Sequence, residues 1–394
     1  MLPLLGGSNL KRGAMVLFFL IVFSLYGLIN LYIGIRGWQL LDAAPPWRIA
    51  YLFSFLLLAF SYIAGRFLER ASFSLLSEAL VWIGSYWLAA MLYFFLIILL
   101  IDLTRLILVL LPLVPADTLE LIRANRNWLL LGIVGMVAAF LVIGHWNAAT
   151  PRVRPIELRI SKRFNSGQPL KIAVASDIHL GTIIGRARLN RIVETINTLD
   201  PDLVLFPGDI VDEDLGPVIR ENLGESLRSI TSRLGVFAVT GNHEYIGGVD
   251  AACRYLEEHG ITILRDTNAI LSNGVQLVGR EDRARRQFAG MLRKPLEELM
   301  RGIDPAKPVI LLDHQPFGLN EAVRAGVDLQ LSGHTHHGQI WPLNFITKAI
   351  YELNWGYLRV GATHIYVSSG VGTWGPPVRL GNSPEIVLIT LRQG

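Results

Sequence analysis

Aspartates, histidines and one asparagine recur in five short motifs of the second half of this 394-residue chain. They are Asp177-Ile-His179, Gly208-Asp209, Gly241-Asn242-His243-Glu244, His314 and Gly333-His334-Thr-His336. Together they supply carboxylates, imidazoles and one amide, a donor set that suits two adjacent first-row divalent ions. Two such ions held side by side hydrolyse phosphate esters by activating water and neutralising charge at phosphorus. A lone histidine or aspartate would read as a core polar group or a cap. Seven ligand-type residues in this order do not.

The elements that must position them are legible around each motif. Runs at Lys171–Ser176, Leu203–Phe206, Val236–Thr240, Val309–Leu312 and Leu329–Ser332 read as buried strands, and each ends just before a motif. In open α/β sheets, ligands gather beyond the carboxyl ends of the strands, and these motifs obey that rule. Further runs at Val275–Gly279, Ile365–Ser368 and Ile386–Leu391 also predict strands. Helical patterns at Arg188–Leu199, Asp250–His259 and around Gln287–Met300 alternate with them. The expected fold is therefore an α/β domain built around extensive sheet. Gly208, Gly241 and Gly333 would let the backbone approach closely or adopt positive φ. The i,i+2 spacing of Asp-x-His and His-x-His would return both side chains to one side of an extended segment.

The stretches SDIHLG, PGDIVDED, GNHEY, DHQP and SGHTHHGQ, spread over about residues 171–340, resemble the calcineurin-like metallophosphoesterases. The tail VSSGVGTWGPPVRLGNSPEIVLITL and the preceding apolar segments are similar to a bacterial, membrane-associated branch of that family. The resemblance implies two packed β-sheets flanked by helices. It implies one metal ion on Asp177, His179, Asp209 and His336, and a second on Asp209, Asn242, His314 and His334, with Asp209 bridging. The ions would activate water for in-line attack at phosphorus, and His243 would stabilise the transition state or protonate the leaving oxygen. The imidazole-rich set suits manganese first, with iron or zinc as alternatives, better than magnesium alone. His337 departs from the glycine often found there in this branch, and is a candidate contact for substrate phosphate.

The first 147 residues have a different composition. The chain is 52% hydrophobic and 17% charged, and nearly all the apolar excess precedes about residue 147. Spans are expected at about 15–35, 49–68, 79–101 and 128–146, each near the ~20 residues that cross a hydrocarbon core. The third apolar run continues to Leu111, and Asp102 and Arg105 could pair at i,i+3 where it leaves the bilayer. A linker at 148–155 would lead to a catalytic domain at 156–394, which at roughly 240 residues can bury its own core. Lys11, Arg12, Arg66, Arg70 and the arginines after Pro151 would share one side, and Arg36, Arg48, Arg123 and Arg126 the other. Both termini then read as cytoplasmic at the bacterial inner membrane. The net charge of +4 comes from scattered basic residues, which gives nucleic-acid binding no support. Cys253, the single cysteine, excludes an intrachain disulfide and thiolate clusters.

Two segments bear on substrate. Arg280, Arg283, Arg285, Arg286, Arg293 and Lys294 are either a solvated helix face or a clamp for anionic head groups, with Arg280 and Arg283 foremost. The aromatic stretch from Trp341 to Leu358 either covers the core or meets an acyl chain. The expected function is a membrane-bound phosphohydrolase of a lipid-linked phosphoester or pyrophosphate such as UDP-2,3-diacylglucosamine, with membrane lipids as its other partner. A tethered phosphodiesterase of a soluble nucleotide and a non-catalytic metal-binding scaffold are the rivals. Glu244, Asp212, Asp214, His259 and His364 read as structural or loop residues. Oligomeric state is not legible.

Overall fold

The computed structural model describes residues 6–41, 44–111, 124–164 and 168–394. Arg123, one of the loop charges weighed above, lies outside them. The chain divides into two units, Met1–Phe67 with Ala79–Leu141, and Leu68–Glu78 with Val142–Gly394.

The first unit is helical. Its apolar runs form α1 (Gly6–Leu40), α2 (Pro45–Ala71), α3 (Leu75–Leu110) and α4 (Arg126–Ala148). All four are long and apolar enough to cross a membrane. A helix satisfies every backbone group internally, which hydrocarbon requires. Glycines set the packing of α2 on α3: a Cβ at Gly84 would strike the Tyr62 backbone, and one at Gly65 the backbone of Val81. The third helix continues unbroken past Ile101. There Asp102 takes Arg36 of α1 at 2.7 Å and the Tyr32 hydroxyl at 2.5 Å. The long-range partner on α1 was not visible in the local spacing to Arg105.

The second unit contains two six-stranded sheets. One has the order β1-β12-β2-β3-β4-β5 and the other β10-β11-β9-β8-β7-β6. In the first, β1 (Arg152–Ile160), β2 (Leu170–Val174), β3 (Leu203–Phe206), β4 (Val236–Ala238), β5 (Thr262–Ile263) and β12 (Glu385–Gln393) pair. In the second are β6 (Thr267–Ile270), β7 (Gln276–Gly279), β8 (Val309–Leu312), β9 (Leu329–Ser332), β10 (Gly356–Val360) and β11 (Thr363–Val367). Side-chain alternation explains the layering. Leu203 and Leu205 of β3 enter one core together with Ile310 and Leu312 of β8, between the sheets. Val204 and Phe206 point the other way, into the core under α5 (Arg186–Thr198), while Val309 and Leu311 enter a third cluster. Both faces of these strands are buried, so they read as continuous apolar runs. Strand β1 begins at Arg152, inside the stretch read as a linker, because it pairs with β12 along its whole length.

Two membrane-proximal pieces belong to this unit. In the last turn of α2, buried Glu69 accepts the Thr182 hydroxyl and Arg70 lies 3.9 Å from Glu213, and in the connection to α3 Phe73 sits under Arg220. At the end of α4, the Arg379 amide donates to the Gly144 carbonyl at 2.9 Å. The Asn147 amide donates to the carbonyls of Arg379 and Asn382.

Candidate metal centre

The strands β2, β3, β4, β8 and β9 end on one side, and the residues that follow them converge. The backbone there is not extended. Asp177, His179, Asp209, His334 and His336 all have φ between 47° and 70°. The expectation of an extended Asp-x-His segment therefore fails, since both residues occupy the left-handed region. For non-glycine residues that conformation is costly and must be held by surrounding contacts. The Asp177 amide donates to the Gly208 carbonyl and the His179 amide to that of Asp209. Gly208 itself has φ +90°, and a Cβ at Gly333 would fall on Ser176 Oγ and Asp177 Oδ2. Only glycine lets these turns pass so near the ligand atoms.

Donor atoms of Asp177, His179 and His336 lie within 4.8 Å of one another, and so do those of Asp209, His314 and His334. His179 Nε2 and His336 Nε2 are 3.0 Å apart, a separation that two nitrogens about 2.1 Å from one shared ion would have. Asp209 Oδ2 stands 3.0 Å from His314 Nε2 and 3.9 Å from His179 Nε2, between the two groups. Asn242 Oδ1 lies 3.3 Å from His314 Nε2. Asp177 Oδ2 and His179 Nδ1 are buried without a hydrogen-bond partner. Unsatisfied buried donors and acceptors need an explanation, and a bound cation supplies one for the carboxylate oxygen. The residues present thus fit two divalent ions.

The electrostatics point the same way. Burial raises the Asp177 pKa. Asp209 is also buried, but the charges of His314 and His243 hold its pKa well below the usual range. Burial lowers His334 to about 3 and His336 well below its ordinary value, with neighbouring His314 and His179 adding to the effect. Neutral imidazole is the ligand-competent form. His314 Nδ1 meets the Pro207 carbonyl at 2.7 Å, which fixes its proton there and leaves Nε2 toward Asp209. Burial opposes a charged His243, yet Asp209 and Asp212 outweigh it and carry that pKa to about 9.

Several surrounding residues take roles that sequence reasoning missed. Asp212, read as loop decoration, meets His243 Nδ1 at 2.9 Å and orients the ring. Trp374 lies edge-on to His243 with centroids 5.8 Å apart. Arg379 is wholly buried; its guanidinium holds the carbonyls of Ser369 and Gly372 and lies 3.2 Å from His336 Nδ1. Burial brings its pKa down to about 10. Its approach to His336, 43 residues away, leaves no local signal. Glu244 has the turn-supporting role expected, accepting the amides of Asp209, Val211 and Gly241. His364 and His259 are tied to backbone carbonyls of Arg159 and Tyr255.

The substrate residues named from sequence fare differently. Arg280 is buried and donates to Asp313 at 3.1 Å and Glu321 at 2.9 Å. Its neighbours do likewise, Arg285 with Asp266 and Arg293 with Asp313, both at 2.7 Å. The segment forms an internal ion-pair network, with helical turns only at Arg285–Phe288 and Leu296–Leu299. A long solvated helix does not describe it, and carboxylates distant in sequence neutralise Arg280, Arg285 and Arg293. Arg283 is exposed, donating to the Phe317 carbonyl with its guanidinium over that ring. His337 faces Asn354 and packs on Trp355, with centroids 4.9 Å apart.

Residues 170–338 match the family model of the calcineurin-like phosphoesterases. An uncharacterized metallophosphoesterase of Helicobacter pylori strain J99 is 34% identical over 275 residues, 68% of this chain and 72% of its own. An uncharacterized metallophosphoesterase of Aquifex aeolicus is 32% identical over 234 residues, 59% of this chain and 88% of its own. A transmembrane protein with metallophosphoesterase domain from Danio rerio is 34% identical over 66% of this chain; the match spans 61% of that relative's length. Converging metal-type donors at the strand ends define a metal-dependent phosphoester hydrolase. The chain belongs to the calcineurin-like metallophosphoesterase family, and its four apolar helices make it a membrane protein.

Proposed function

We propose that this protein hydrolyses a phosphoester or pyrophosphate bond of an amphiphilic, lipid-linked substrate at the cytoplasmic face of a bacterial inner membrane. The observation that carries the reading is the joint presence, in one chain, of the two donor groups around Asp209 and four spanning helices. A soluble nucleotide needs no such anchor. A lipid-linked pyrophosphate of the UDP-2,3-diacylglucosamine type has the phosphate and the acyl chains this combination suits.

One ion would sit on Asp177, His179, Asp209 and His336 and the other on Asp209, Asn242, His314 and His334. When bound, the pair, manganese foremost, supplies Lewis acidity and lowers the pKa of water. The protein's own groups do the rest. Asp209 Oδ2 stands between the two donor groups while its Oδ1 accepts the His243 amide, and the Pro207 carbonyl keeps the His314 proton off the ligating nitrogen. His243, held by Asp212, presents a protonated imidazole that donates to phosphate oxygen or to the leaving group. Neutral Asn242 contributes an oxygen without repelling the phosphate.

Purified full-length protein loaded with manganese should cleave the lipid pyrophosphate with a kcat/KM well above that for a soluble nucleotide diester. A preference for the soluble diester would replace the lipid reading with that of a tethered phosphodiesterase. No hydrolysis of either by metal-loaded protein would leave a metal-binding scaffold.

A further inference from the structure

Beside the metal centre stands a patch of exposed apolar side chains. Trp341, Phe345, Ile346, Ile350 and Trp374 are each more than half exposed. Phe345, Ile346 and Ile350 belong to α8 (Asn344–Ile350), named here after α6 (Asn242–Gly247) and α7 (Val249–Glu258), with shorter helical turns left unnumbered. Such a cluster on a soluble surface marks a binding or membrane face.

Two observations tell what covers it. The first is its attachment. The Trp341 amide donates to the Leu380 carbonyl at 2.8 Å, and Ile340 pairs with Leu380. That same segment is hydrogen-bonded to Gly144 and Asn147 in the final turns of α4. Ile143 and Trp146 of those turns are strongly exposed, as residues facing lipid are. The patch is therefore fastened to the place where the chain leaves the bilayer. The second is its other border, which is the site itself. Trp374 packs on His243, and Tyr351, next after α8, packs edge-on to His334 at 5.9 Å. Exposed Lys348 on α8 adds a cation suited to anionic head groups.

We infer that Trp341, Phe345, Ile346 and Ile350 form a footing that enters the head-group and acyl boundary of the leaflet from which α4 emerges. Trp374 and Tyr351 line the passage from that boundary to the metal centre. An amphiphilic phosphate then reaches the ions with its acyl chains still in lipid, so the transfer of those chains into water is avoided. The inference deepens the proposed hydrolysis of a lipid-linked phosphate and rests on it for the substrate, but the footing's depth can be read without any activity.

The test uses the full chain in lipid nanodiscs containing anionic lipid, in a Cys253→Ala background. A nitroxide placed by Ile346→Cys should be reached by oxygen in preference to an aqueous nickel chelate, as one placed by Trp146→Cys should be. A reading equal to that from Arg301→Cys, in an exposed turn, overturns the footing, as does shielding from both reagents, which would indicate a second copy of the chain over the patch. For the passage, the double variant Phe345→Ser with Ile350→Ser should lower the ratio of lipid-pyrophosphate to soluble-diester turnover by roughly tenfold or more. An unchanged ratio overturns the passage. A lipid-embedded label together with wild-type protein that cleaves neither substrate would uphold the footing and defeat the proposed function.

Discussion

The metal centre and the Arg280–Lys294 segment are both dense in charge, and their atoms are used in opposite ways. Around Asp313 the buried arginines meet carboxylates: Arg280 and Arg293 bracket one, Arg285 pairs with Asp266, and Arg265 pairs with Glu281. Around Asp209 donors of one kind face each other. His179 and His336 bring nitrogen to nitrogen, and Asp177 leaves a buried oxygen unpaired. The backbone differs too, for the centre is held in left-handed turns that cost energy unless the fold or a ligand compensates. Charge density alone does not mark a functional site. Charge left unanswered inside the protein does.

That contrast can be broken or sharpened by substitution. The largest effect should come from Asp209→Asn, which removes the carboxylate that reaches both donor groups. Hydrolysis should fall by a factor on the order of a thousand or more while a cooperative melting transition, like that of chelated wild type, persists. Retained activity would sever Asp209 from the chemistry. Arg280→Ala leaves Asp313 buried beside a lost partner and should cost about 3–5 kcal/mol in unfolding, with unchanged KM in whatever protein stays folded. A raised KM without destabilisation would restore the clamp.

Removing metal should act on one region alone. At ions about a hundredfold above their dissociation constant, binding stabilises the fold by about 2.7 kcal/mol. Chelation should lower the melting temperature of wild-type protein by several degrees and leave Asp209→Asn almost unmoved. Asp212→Asn should lower kcat by roughly ten- to hundredfold with metal content intact, because the orientation of His243 is disturbed while the donor set is kept. Loss of metal in that variant would make Asp212 part of the ion site. Arg283→Ala, at the exposed end of the basic segment, should change stability by no more than about 0.5 kcal/mol and leave KM alone.

Legibility from sequence followed locality. Leu203–Phe206, Val309–Leu312 and Leu329–Ser332 were read to the residue, because strands buried on both faces are uninterrupted apolar runs bounded by turn residues. Edge strands escaped. Strand β1 alternates charge with apolar residues, β6 exposes three of its four residues and no residue of β10 is fully buried, so neither length nor periodicity announced them. The candidate ligands were legible because each sits within two to five residues of a strand end. Asp212, Trp374 and Arg379 were not, since what they do depends on residues 31, 131 and 43 positions away.

By itself, then, the sequence determined the reaction class and the presence of spanning helices, since both rest on residue types at short spacing. Only the tertiary structure decided which charges cancel and which stay open. It alone showed that the ligand turns are left-handed, and that the end of α4 reaches the metal loop through Arg379. Those facts arise from contacts between distant segments, where the energy of burying a charge depends on what the fold places against it.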